Sequence, residues 1–371
     1  MQLGVTEEVQ ELRESVRRFL ADRAPVSRVR ELMETEDGID RAVWEQAGAQ
    51  LGLVGLAIPE EYGGGGFSFD EQAIVLEELG AALYGGPYLA SGVLAATALL
   101  ASPDEGARRD LLPAIASGEV IATVAFTEDD GSWDPSGARL AAAKAGDGWR
   151  LDGHKSFVLD GATAGLVLAV AVADGSLSLF AVDGGAAGLT RATLPTLDQT
   201  RKLARLEFDG VPARLIGSPG DAAAVMDHVL NVTAIALAAE QLGGAQRALD
   251  MTVEYTKVRH QFGRPIGSFQ GLKHRLADLL LEVESLRSAV AYAASAVAEG
   301  SPEVPVLAPL VKAYASDTYF HVTAESIQMH GGIGFTWEHD AHLYFKRAKS
   351  SELFLGDASY HRERLAARIG L

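Results

Sequence analysis

Residue types capable of chemistry gather in two short segments, Arg259-His260-Gln261-Phe262-Gly263-Arg264-Pro265-Ile266-Gly267-Ser268-Phe269-Gln270 and Gln328-Met329-His330-Gly331-Gly332-Ile333-Gly334-Phe335. The first offers cations and amides around an aromatic ring; the second offers paired glycines after an apolar run. Taken alone, the first also reads as a surface loop and the second as a glycine-capped helix end. Other chemistries lack their residues. The chain has no cysteine, hence no thiolate nucleophile, disulfide framework or Cys-ligated metal centre. Its nine histidines never fall in an H-E-x-x-H arrangement, so metal chemistry has no support. A formal charge of −18 opposes the Lys and Arg clustering that neutralises a phosphate backbone, which argues against nucleic acid as a partner.

The elements that must position these segments follow from texture. With 371 residues, 48% of them hydrophobic, the chain can bury more than one core. Val5, Val9, Leu12, Val16, Phe19 and Leu20 recur at three- and four-residue spacing, an amphipathic opening helix. Helical patterns interrupted by the Gly63–Gly66 run and by Gly85-Gly86-Pro87 continue to Gly118. From Val120, short runs rich in β-branched residues read as strands: 120–126, 149–151, 166–172, 177–182 and 204–208. Helical patterns return over 222–255, 272–298, 305–330 and once more near the C-terminus, which implies a bundle. The expected domains are therefore 1–118, helical; 119–220, β; and 221–371, helical bundle. The helix from Ala222 is apolar all round at Ile235-Ala236-Leu237-Ala238-Ala239, which predicts cover on most sides, simplest as an oligomer interface. No stretch reads as a membrane span, and early Glu7, Glu8 and Glu11 do not suit a signal peptide, so a cytoplasmic protein is expected.

Together the two segments resemble two signatures of the acyl-CoA dehydrogenase family, and the resemblance extends over the whole chain through Pro59-Glu60-Glu61-Tyr62-Gly63-Gly64 and Thr127-Glu128. It implies an α+β, mainly α fold: a helical N-terminal domain, a middle β-sandwich or barrel, and a C-terminal four-helix bundle. It further implies that both segments reach across a dimer interface to the FAD of a neighbouring subunit. A pyrophosphate needs a fixed cation and close backbone N–H donors. By resemblance Arg259 and the pair Gly331-Gly332 supply these, with Gln328 as an amide donor. Phe262 and Ile266 give apolar cover, and Gln261 or Gln270 further polar contacts. His330 and Met329 read as packing residues, and Trp337, Glu338 and His339 as a surface loop.

The chain departs from the family at the chemistry itself. Family members remove the substrate α-proton with a glutamate in a stretch resembling Tyr-Glu-Gly-Thr; here the stretch is Phe354-Leu355-Gly356-Asp357, with leucine at the base position. The alternative base position, on the first long helix of the C-terminal domain, falls on Thr233, followed by Ala234. Glu240 lies two helical turns from Thr233 on nearly the same face, about 10 Å along the axis, too far for the same proton. It reads first as a structural or interface carboxylate, and Glu352 is a weaker stand-in. The segment that packs on the flavin ring reads Lys155-Ser156-Phe157-Val158-Leu159-Asp160-Gly161, with Leu159 in place of a threonine hydroxyl. In Thr127-Glu128-Asp129-Asp130-Gly131-Ser132-Trp133, Trp133 replaces a small serine and two acids replace Pro and Gly, adding bulk and negative charge where a phosphate would lie.

Loss of the base and flavin contacts beside intact across-interface motifs predicts a non-catalytic subunit. Two copies would join two of a base-bearing chain, as in the actinobacterial heterotetramers that act on CoA thioesters of steroid side chains. The Ala- and Gly-rich composition suits a high-GC genome. The partners so implied are that second subunit, an acyl-CoA substrate and an electron-transfer flavoprotein as acceptor. Two alternatives stay open: a self-sufficient homotetramer with an unusual base such as Glu240, and a flavin-free interaction subunit. Flavin monooxygenases and acyl-CoA oxidases share the architecture.

Overall fold

The computed structural model describes residues 7–371. Val5, placed by the sequence on the opening helix, lies outside the described residues. The chain divides into two compact units, one formed by residues 7–30, Phe69–Tyr84 and Ala234–Leu371, the other by Glu31–Ser68 and Gly85–Thr233. Both units are discontinuous, in contrast to the linear succession 1–118, 119–220, 221–371 read from sequence texture.

The helices are α1 Glu7–Arg23, α2 Val26–Met33, α3 Arg41–Glu45, α4 Phe69–Ala81, α5 Ala96–Ala101, α6 Glu105–Ala116, α7 Ala222–Val258, α8 Gln270–Ala298, α9 Val304–His330, α10 Ala341–Leu353 and α11 Ala358–Ile369. Local chemistry sets several ends. Asp40, Asp104 and Asp357 accept hydrogen bonds from the first-turn N–H groups of α3, α6 and α11. Where the sequence suggests one C-terminal helix there are two, because Leu355 (φ 65°) and Gly356 (φ 103°) turn the chain between them.

The β unit holds β1 Ala122–Ala125, β2 Ala141–Ala145, β3 Gly148–Leu159, β4 Leu166–Ala173, β5 Ser176–Asp183, β6 Leu189–Leu194 and β7 Leu203–Ile216. Pairing runs β4-β2-β3-β7-β5 and returns to β4, closing a barrel, with β1 added beside β4 and β6 beside β7. Closure gives β2, β3, β4, β5 and β7 a neighbour on each side, while β1 and β6 each pair on one side only. β4 is buried along nearly its whole length, which explains its continuous apolar run.

In the helical unit, α4 meets α7 at two glycines. A Cβ on Gly80 would stand 1.9 Å from the Glu240 carbonyl oxygen, and one on Gly243 1.7 Å from that of Glu77, so only glycine permits the approach. On its other side α7 meets α9, where a Cβ on Gly244 would lie 2.4 Å from the Tyr319 ring. Ala234–Ala239 of α7 are consequently 0% exposed within the single chain. This corrects the expectation that an oligomer interface covers them. The same helix is long and apolar enough to cross a membrane by length and composition, against the sequence reading, but 78% of its apolar window is buried inside the protein.

Candidate functional site

The two chemistry-bearing segments lie at one end of the helical unit. The backbone turns after α7 into a two-residue hairpin, His260–Gln261 paired with Arg264–Pro265, whose corner residues Phe262 and Gly263 have φ of 52° and 76°. Such positive φ at both corners matches the right-handed twist of paired strands. Phe262 is 91% exposed. Its ring meets Phe269 edge-on at 6.1 Å, and the Arg264 guanidinium lies 4.0 Å over that same ring, so the hairpin stands out from the bundle yet is braced.

The second segment ends α9. Gly331 takes φ 63° and ψ −141°, a conformation open to glycine, while its N–H returns to the carbonyls of Gln328 and Ile327. Tyr255 joins the segments. Its ring stacks on His330 at 4.3 Å and its hydroxyl donates to the His330 carbonyl at 3.2 Å, bringing together the ends of α7 and α9. Arg259, Gln261, Gln270, Gln328, Gly331 and Gly332 are all exposed there, and Ile266 is half-buried. A Cβ on Gly331 or Gly332 would meet nothing within 4 Å, so their backbone is open to an incoming group. Beside the hairpin a groove of ≈ 750 Å³ runs between α7 and α8. Cation, amides and open backbone are thus what a diphosphate requires, so this half of a flavin site fits.

The positions where a base would stand do not supply one. Leu355 is 3% exposed, its carbonyl bound by His361 Nε2 at 3.1 Å. The Gly356 carbonyl accepts from Lys312 Nζ at 3.1 Å, so the turn is held from inside the bundle. Thr233, 0% exposed, donates Oγ1 to the Val229 carbonyl at 2.7 Å within its own helix. Glu240 is buried and accepts from Arg347 Nη1 at 2.8 Å; the Arg347 side chain is 3% exposed. Glu352 pairs with Lys349 Nζ at 3.0 Å. Every stand-in carboxylate therefore has a cation of its own.

In the β unit, Glu128 Oε1 accepts from the N–H of Arg139 (2.6 Å) and of Leu140 (3.0 Å) and from fully buried Lys155 (2.9 Å). Burial pushes the Glu128 carboxyl upward, but these donors prevail and hold it below its ordinary value. The Leu159 side chain is buried and presents no hydroxyl, while its carbonyl is used by Thr123 Oγ1 at 2.6 Å. The charge expected from Asp129 and Asp130 is not left bare, which corrects that part of the sequence argument. Asp129 is bonded by Arg205 and Ser156 and lies 3.0 Å from His154 Nε2, and these partners hold it down to about 2. Asp130 meets Arg139 at 3.3 Å. Bulk remains, because Trp133 packs against Phe126 with ring centroids 6.0 Å apart.

Sequence reasoning missed Tyr255, Lys312, Arg347 and His361. None sits in a glycine-rich segment, and Tyr255, Lys312 and Arg347 have partners distant in the chain, as with Arg347 and Glu240, 107 positions apart; His361 binds the carbonyl of a leucine six positions back. Among the described residues no group of His, Asp and Glu is arranged to hold a metal.

Comparison with known proteins aligns the whole chain. The acyl-CoA dehydrogenase N-terminal, middle and C-terminal domains match residues 6–119, 123–211 and 222–370. Acyl-CoA dehydrogenase IpdE2 of Mycolicibacterium smegmatis is 38% identical over 98% of this chain and 100% of that protein. Among solved structures, the ChsE4-ChsE5 complex from Mycobacterium tuberculosis has a chain 32% identical, with TM-score 0.90, covering 100% of this chain and 99% of its own. A chain of the Tcur3481-Tcur3483 steroid ACAD variant is 34% identical with TM-score 0.89, covering 99% of each.

Proposed function

Since this chain belongs to the acyl-CoA dehydrogenase family, we propose that it is the non-catalytic subunit of a heteromeric, FAD-dependent enzyme that desaturates a steroid side-chain CoA thioester. The reaction removes the α-proton of the thioester and takes a hydride from the β-carbon, leaving a 2-enoyl-CoA. FAD, when bound, supplies the hydride acceptor. The observation that carries this reading is an asymmetry. An apolar Leu355 stands at the base position and Glu240 is committed to Arg347, while Arg259, Gln328, Gly331 and Gly332 face solvent.

In this reading the chain's residues bind and shield. Arg259 neutralises diphosphate charge, the open backbone at Gly331-Gly332 admits the diphosphate, the Gly332 N–H and the Gln328 amide donate to its oxygens while the Gly331 N–H stays in the α9 cap, and Phe262 and Ile266 cover the apolar parts. Gln261 and Gln270 bind polar edges. The glutamate comes from the other subunit. The Tcur3481-Tcur3483 steroid ACAD supports a steroid-type substrate, since one of its chains is 34% identical over 99% of this chain. The linear modules 1–118, 119–220 and 221–371, a cytoplasmic location and an electron-transfer flavoprotein as acceptor belong to the same proposal.

The test is the visible absorbance of the chain purified alone and again after co-expression with a base-bearing relative. Colourless protein alone, and about one FAD per pair of unlike chains in the complex, is the expected result. Stoichiometric FAD with acyl-CoA turnover by this chain alone would overturn it.

A further inference from the structure

The turn that follows α9 is held by a stack of neutral rings. His330 lies between Tyr255 at 4.3 Å and His339 at 4.4 Å. His330 Nδ1 lies 2.7 Å from the Ser326 carbonyl, which can only accept, so Nδ1 carries the proton. The other nitrogen, Nε2, is buried and has no hydrogen-bond partner. A second proton there would create a buried, unpaired N–H. For His339 the constraint is opposite: Nδ1 accepts the N–H of Ala341 in the first turn of α10 at 3.1 Å, so Nδ1 must be bare. A proton on it would break that bond and set a cation against the positive end of a helix dipole.

Among the remaining charged and titratable groups around the stack, Asp340 favours protonation of His339 and His342 but does not outweigh their burial. Arg30 of α2 binds the His339 carbonyl at 3.0 Å and Asp340 at 2.8 Å, adding a cation beside the ring. From α10 come His342, edge-on to Trp337 at 4.7 Å, and Lys346, 4.2 Å over the Trp337 ring. Asp340 is already committed to Arg30, and Glu338 lies in the same turn. Burial pushes His330, His339 and His342 below their ordinary value, and the neighbouring His339 adds to the effect on His330.

We infer that His330 and His339 are positioning residues that fix the turn 331–340 by staying neutral, and that they make its hold on FAD acid-labile. This rests on the reading of Gly331-Gly332 as the seat of the diphosphate. Two imidazoliums 4.4 Å apart repel, so protonation unlatches the turn from Tyr255 and α10 together. The direction follows from proton uptake. The released turn binds protons that the latched turn excludes, so the latch is complete above about 6.5, the ordinary histidine value, and weakens as pH falls below it.

The test uses the flavin-loaded complex of the full chain. Hydrogen exchange of residues 328–341, corrected for intrinsic rate, and release of fluorescent FAD are followed from pH 8 to pH 5. Wild-type exchange in this segment should accelerate about tenfold, the equivalent of roughly one pH unit of differential protonation, with FAD release rising in step. His339→Asn retains an acceptor for the Ala341 N–H but cannot titrate, and His330→Phe retains a ring against Tyr255; each should reduce the acid response, and both together should abolish it. A flat wild-type profile, or wild-type responses in both variants, overturns the latch. Accelerated exchange with undisturbed FAD retention would uphold the latch and overturn the flavin role of Gly331-Gly332.

Discussion

At the scale of single residues, the decisive contrast is between carboxylates and cations that are committed and those that are not. Glu240 attracts notice in the sequence because it is the nearest acid to an empty base position. The structure gives it to Arg347 at 2.8 Å, in a site where both side chains are nearly buried. Glu240→Gln should therefore leave turnover of the complex unchanged per folded molecule while lowering stability by up to about 3 kcal/mol, since it removes the counter-charge of a buried guanidinium. Thermal unfolding beside single-turnover assays checks this, and a thousandfold loss of turnover with normal stability would restore Glu240 as a base. Arg259 shows the reverse. It follows the C-terminal end of α7, where the helix dipole repels an anion, so a diphosphate held there depends on its charge. Arg259→Ala should weaken FAD retention by the complex at least tenfold, read by equilibrium dialysis, and Arg259→Lys should recover part of it. The motif around Arg259 was legible because its residue types lie close in sequence. Arg347 was not, since its meaning comes only from a partner on another helix.

Elements separate along the same line. The long helices were readable, because each carries apolar residues at helical spacing over many turns, and the observed bounds of α7, α8 and α9 begin or end within a few residues of the patterns. β2 and β6 were not. Ala141–Ala145 consists of alanine and one lysine, weak strand formers, and is extended because it pairs with β3 in register Ala141↔Asp152 through Ala145↔Gly148 and with β4 at Ala141↔Val172. The single C-terminal helix expected from sequence is split by a leucine at positive φ, which no local propensity favours. α1 is a third kind of element, with only Val16 and Leu20 buried among its described residues. Charge compensates for its thin apolar face: Arg13 and Arg17 of α1, with Arg287 of α8, converge on Glu77 and Glu78 at 2.6–2.9 Å. Glu78→Gln should loosen α1, raising hydrogen exchange over residues 7–23 several-fold while α8 and α9 stay protected. High salt should do less, because both glutamates are largely shielded from solvent. Uniform acceleration across all helices would show that α1 is not a separable strap.

For the molecule as a whole, the buried titratable groups define a stability plateau. His361 is 0% exposed, with Nδ1 unpartnered, and burial together with Lys312 and Arg364 pushes it down to about 3. The unfolded chain takes up that proton near 6.5 while the folded chain refuses it. Stability is therefore intact above about 6.5 and falls as pH drops toward 3, by on the order of 1.4 kcal/mol per pH unit for this one ring. His330, His339 and His342 titrate in the same sense. Tyr344 sets the other limb. Its hydroxyl donates to the Ala81 carbonyl at 2.7 Å, and burial holds it up at about 12. The unfolded chain loses that proton near 10 and the folded chain does not, so stability declines again above 10. Urea unfolding from pH 4 to pH 11 should give a plateau between about 6.5 and 10 with a steep acid limb. His361→Gln should flatten the acid limb and leave the alkaline one, and Tyr344→Phe should do the opposite. An acid limb equally steep in His361→Gln would move the titration to the ring stack after α9. That places acid sensitivity in the turn that presents Gly331 and Gly332, so loss of flavin would then precede unfolding of the bundle.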